Sequence, residues 1–130
     1  MVRIVIYGEH AEETDGLEMM LRAILTEKQR WPVIHIYIGN LENYLHFVRG
    51  NPYLIMLVSA RGEKGAQIVQ RIRENNPAAS LIWLSDEKNA LEFWKLHANA
   101  FGLFPPEREQ REEVLTDCLS RTERRRQTKI

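Results

Sequence analysis

Five short apolar runs recur along the chain, and between them the apolar positions fall into helical spacing. "VRIVIY" (2–7) is β-branched and stopped by Gly8, which predicts a buried strand. Leu17, Met20, Leu21 and Ile24 then stand at i, i+3, i+4 and i+7, predicting a helix from Ala11 to about Lys28. After the Trp31-Pro32 break, "VIHIYI" (33–38) alternates Ile34, Ile36 and Ile38 with Val33, His35 and Tyr37, as suits a half-exposed edge strand. Asn40 is placed to cap a short helix carrying Leu41, Tyr44, Leu45 and Val48, closed by Gly50. "YLIMLV" (53–58) is apolar throughout and reads as a central strand.

The second half repeats the alternation. A helix following Gly65 uses Ile68, Val69 and Ile72 and stops at "NNP" (75–77); "SLIWL" (80–84) is a fourth strand, with Trp83 in the core. Ser85 or Asp86 caps a next helix in which Ala90, Phe93, Trp94 and His97 share a spacing. "AFGLF" (100–104) is a short fifth strand ended by Pro105-Pro106, and a last helix over about 107–120 turns Val114, Leu115, Cys118 and Leu119 inward. The domain is therefore expected over 1–120, with "RTERRRQTKI" (121–130) a basic, frayed tail without an apolar face. Strict alternation implies a parallel sheet with helices on both faces. Right-handed crossovers and an edge-like second strand select a flavodoxin-like, doubly wound α/β fold: five strands in the order 2-1-3-4-5 with five helices.

Composition narrows the function classes. At 130 residues there is room for one domain. Eighteen acidic side chains balance 18 basic ones, so no net field favours nucleic acid or an anionic membrane. The tail cations have no aromatic among them to stack on a base, so nucleic acid is not expected to bind this domain. No apolar run approaches the ~20 residues that span a bilayer, and no signal peptide is recognisable. Cys118 stands alone, which excludes a disulfide framework and a cysteine metal site. A cytoplasmic protein without cofactor is expected. "YGEHAEE" puts acids, not a glycine-rich phosphate loop, after the first strand, which argues against a nucleotide-binding enzyme.

In "RIVIYGEH", "NPYLIMLVSARGEKG", "IRENNPAASLIWLSDEKNALEFWKLHA" and "AFGLFPP" the chain resembles the CheY-like receiver domains of bacterial two-component response regulators, over residues 2 to about 120. The closest flavour is the receiver that precedes LytTR-type DNA-binding domains. The resemblance implies an acidic pair after the first strand and a phosphorylated aspartate ending the third. It further implies a serine or threonine ending the fourth strand and a lysine-proline pair ending the fifth. The carboxylate attacks the phosphoryl group, while Mg²⁺ and the lysine neutralise its oxygens.

Residue by residue the chain departs from that set. The acidic pair falls on Gly8 and Glu9, the phosphoacceptor on Val58 and the lysine on Phe104, before a retained Pro105. Ser85 keeps the hydroxyl position and Phe101 the switch-aromatic position. Ser59 is the nearest oxygen to Val58, but adjacent residues along a strand point to opposite faces. The expectation is a degenerate site in which Val58 beside Phe104 is apolar packing, and Phe101 is ordinary core. A metal site from Glu9, Glu63, Asp86 and Glu87 is the weaker reading against solvated loop acids and caps, so no metal is expected. His10 reads as polar surface, and His35, His46 and His97 share no ligand spacing.

The reading that follows is a non-catalytic pseudo-receiver acting by protein–protein contact in two-component signalling or transcription control. The alternative is the regulatory half of a LytTR-type regulator whose effector domain is absent from this chain. Receivers pair through the face of their fourth helix, fifth strand and fifth helix, here parts of 87–97, 100–104 and 107–120. Phe93 and Trp94, with Arg108 and Arg111 near them, are its expected anchors for a homodimer or another protein.

Overall fold

The structure, a computed structural model, describes residues 2–49, 55–77, 79–86, 100–103 and 108–127. Its elements run β1 (Val2–Gly8), α1 (Ala11–Glu27), β2 (Pro32–Ile38), α2 (Leu41–Val48), β3 (Ile55–Ser59), α3 (Gly62–Asn75), β4 (Ser80–Ser85), β5 (Ala100–Leu103) and α4 (Arg108–Gln127). The strands form one sheet in the order β2-β1-β3-β4-β5, parallel at every pairing. This is the flavodoxin-like α/β arrangement, with four helices among the described residues. The helix expected after Asp86, with Phe93 and Trp94, and the Phe104 position lie outside them.

Strand alternation divides the core in two. Ile4, Ile6, Ile55, Leu57, Ile82 and Leu84 meet Leu17, Leu21 and Ile24 of α1 and Leu115, Cys118 and Leu119 of α4. Val5, Tyr7, Met56, Val58, Leu81 and Trp83 meet Tyr44, Leu45 and Val48 of α2 and Ile68, Val69 and Ile72 of α3. β3 and β4 are buried on both faces, which is why their sequences are apolar without alternation. Tyr44 is fully buried because its hydroxyl donates to the Val5 carbonyl at 3.0 Å, tying α2 to β1.

Local chemistry sets the ends. Asn40 caps α2 as expected, its Oδ1 accepting from the Asn43 amide at 3.2 Å. One guanidinium nitrogen of Arg73 donates to the carbonyls of Asn76, Pro77 and Ala79 at 3.2, 3.1 and 2.8 Å, fixing the turn into β4. α3 begins at Gly62, four residues before the expected start, and Gly62 takes a φ of +70 that other residues resist. Gly65 is instead the close-approach glycine: a Cβ there would stand 2.5 Å from the Ala60 carbonyl oxygen. The last helix is also longer than expected. It runs to Gln127, so residues 121–127 are helical rather than frayed, and Thr122 is buried with its hydroxyl on the Cys118 carbonyl.

Candidate functional site at the carboxyl end of the sheet

The parallel strands end together at Gly8, Ser59 and Ser85, and α1 passes over them on one side. Gly8 pairs with Ser59 and Tyr7 with Val58. Val58 is fully buried in the core beneath α2 and α3. Ser59 faces the other way, towards α1, where its hydroxyl donates to Oε1 of Glu13 at 2.6 Å. Oε2 of the same carboxylate takes a guanidinium nitrogen of Arg61 at 3.2 Å. Beside this pair, Lys64 from the first turn of α3 reaches Oε2 of Glu9 at 3.4 Å. With His10 and Ala60 these groups enclose a pocket of about 240 Å³.

Val58 packs among apolar side chains, and the Phe104 position expected beside it lies outside the described residues. Val58 lies in the core layer beneath α2 and α3, and the pocket, lined by apolar as well as polar atoms, holds two carboxylates against two cations of the same chain. Glu13, Arg61 and Lys64 carry this arrangement and were absent from the sequence-level set. Their only signal in sequence was position: Glu13 stands in the first turn of a helix that begins at the strand ends, and Arg61 and Lys64 bracket the start of the next.

Gly8 is fixed by α1. A Cβ at that position would run into the Thr14 side chain, whose hydroxyl donates to the His10 carbonyl at 2.7 Å. Thr14 is buried, so it has no free direction in which to move aside. Among the described residues no group of three or more His, Cys, Asp or Glu side chains is placed to hold a metal. Oε1 of Glu9 and Oδ1 of Asp86 are buried and accept no hydrogen bond from the described residues. Glu9 also acts on its neighbour: burial first, and its negative charge second, push the Tyr7 phenol upward.

Ser85 is fully buried at the end of β4, paired in register with Leu103. Phe101 lies opposite Trp83 in β5, where its backbone is described. Trp83 is fully buried, and its indole N–H donates to the Ala60 carbonyl at 2.9 Å. Arg108 opens α4, and Arg111 of the same helix borders a second, wider groove. That groove, of about 430 Å³, is shared with His10, Glu12, Glu13, Leu17 and Met20. The structure does not unite the expected positions into one centre: Glu9 lines the pocket, Val58 and Ser85 are in the interior, and Arg111 lies across α1.

No protein-family model matches the chain, and no curated protein matches it in sequence. Solved structures do match in fold. The CpaE protein of Burkholderia thailandensis E264 superposes with a TM-score of 0.71 at 14% identity, over 95% of this chain and 98% of that one. A response regulator receiver domain protein from Clostridium thermocellum gives 0.65 at 13% identity, over 95% and 98%. FixJ-N gives 0.69 at 17% identity, over 94% and 93%. The chain has the CheY-like receiver fold.

Proposed function

We propose that the protein is a pseudo-receiver: a non-enzymatic, non-phosphorylatable signalling module that works by protein contact. The observation that carries this reading is the self-neutralised pocket. Glu13 and Glu9 are engaged by Arg61 and Lys64, and Thr14 occupies the space of the missing acid at Gly8. Phosphoryl transfer needs a nucleophilic carboxylate, and by the receiver resemblance Val58 stands at the acceptor position. Likeness to receivers supports a role in two-component or transcriptional signalling. The LytTR flavour of the sequence adds a second context, in which the same module is the regulatory half of a DNA-binding regulator. By the receiver resemblance, residues within 87–97, 100–104 and 107–120 are proposed to contact a protein partner or a second copy.

Incubation with a small-molecule acyl phosphate and Mg²⁺, followed by intact-mass measurement, tests the proposal. The expected mass is unchanged. A phosphate adduct on any carboxylate at the sheet's carboxyl end would overturn it.

A further inference from the structure

β2 is the outermost strand of the sheet, and its outer edge has no partner strand among the described residues. Natural sheets protect such an edge with charged side chains, bulges or prolines. This strand has only Pro32, at its start. It pairs with β1 without a bulge through all seven residues, and no charged side chain occurs from Pro32 to Gly39. Apolar side chains are exposed at both its ends: Trp31 is 79% exposed just before the strand and Ile38 is 41% exposed at its last residue. Phe47 of α2, 39% exposed, lies over the same margin, with its ring 4.8 Å from His35 and 5.8 Å from Tyr37.

We propose that this edge pairs antiparallel with the same edge of a second copy, about a two-fold axis at His35. That register sets Ile34 against Ile36, Val33 against Tyr37, Pro32 against Ile38 and Trp31 against Gly39 of the other copy. Each term favours self-pairing. Apolar residues meet apolar residues, and no like charges are opposed along the strand. The left-handed Gly39 has nothing within 4 Å of where a Cβ would stand, which leaves space for the Trp31 ring of the second copy. Charges beyond the strand are complementary: Lys28 and Arg30 precede β2, and Glu42, still largely exposed although its Oε1 accepts from Arg71 at 2.8 Å, follows it, so an antiparallel arrangement brings basic and acidic ends together. The two five-stranded sheets then run on as one. Pairing of this kind requires neither phosphoryl group nor metal and stands whether or not the pseudo-receiver reading does.

The register makes the test specific. Residues directly opposed across an antiparallel pair have Cα atoms about 4.5–5.5 Å apart, within the range that a disulfide bridges. A His35→Cys variant should therefore form a disulfide-linked dimer under mild oxidation, seen on a non-reducing gel, while Glu12→Cys on α1 should not. Sedimentation of the unmodified chain from about 1 µM to 0.1 mM should show a concentration-dependent dimer. His35→Lys, which opposes two ammonium groups at the axis, should remain a monomer with unchanged circular dichroism. A wild-type monomer throughout that range overturns the proposal. So does a dimer that persists in His35→Lys, or a His35→Cys dimer that fails to cross-link, since either places the interface elsewhere.

Discussion

The hydroxyl of Ser59 and the carboxylate of Glu13 lie 2.6 Å apart across 46 residues of chain, joining the end of β3 to the first turn of α1. Because Glu13 also holds Arg61, this contact is a three-member clasp rather than a lone hydrogen bond. It binds the helix that closes the pocket to the loop that forms its floor.

Removing either member should weaken the fold measurably. Ser59→Ala is expected to cost about 1 kcal/mol and Glu13→Ala about 2 kcal/mol, as for hydrogen bonds involving a charged group. The double variant should lose about 1 kcal/mol less than the sum, because the two share one contact. Urea titration of the four proteins measures this. Strictly additive losses would mean that the clasp contributes nothing.

Restoring receiver acids singly should destabilise the chain without creating phosphorylation. Gly8→Asp drives its Cβ into Thr14, and Val58→Asp buries a carboxylate among Tyr7, Tyr44 and Trp83. Each should lower stability by about 2–4 kcal/mol, read as a fall in melting temperature at pH 7. The Val58→Asp loss should diminish at acid pH, where protonation removes the buried charge. A pH-independent loss would point to shape rather than charge.

Alkaline pH should weaken the fold in two stages. Burial first, then the negative charge of Asp117, push the Cys118 thiol up to about 11 from its usual 9.0, against a smaller opposing effect of Arg121. A raised folded-state pKa gives stability that is complete below the usual value and lost as pH rises through the raised one. The unfolding free energy from urea titration should therefore hold below pH 9 and fall between about 9 and 11, by roughly 2–3 kcal/mol in total. Burial also raises the Tyr44 phenol, adding a further fall above its usual 10.0. Cys118→Ala should abolish the first stage and keep the second; an unaltered profile would assign both stages to tyrosine.

The strands were legible because β-branched runs bounded by glycine or proline have few other solutions. The half-buried edge character of β2 was likewise written in its alternation, and Trp83 in its mid-strand place. Two helix ends were not. The start of α3 depends on the backbone freedom of Gly62, a conformation that no apolar periodicity encodes. The end of α4 lies in a segment without an apolar stripe. There the Asp117–Arg121 pair at 2.9 Å leads into buried Thr122, whose burial shows only in three dimensions. The contacts that build the pocket were not legible. Glu13 meets Ser59 and Arg61 through the folded path of β1 and α1, and spacing along the chain carries no trace of such a meeting.

The carbonyl of Ala60 receives the buried Trp83 indole and lies against Gly65, while the Ala60 amide donates to the Leu84 carbonyl at 3.2 Å. The corner that presents Arg61 and Lys64 is thus pinned to a central strand and to its own helix. A corner held at three points does not swing when something arrives at it. On the pseudo-receiver proposal, a partner of such a part would respond to the abundance of the protein and not to a chemical mark upon it. Control would then rest with synthesis and turnover.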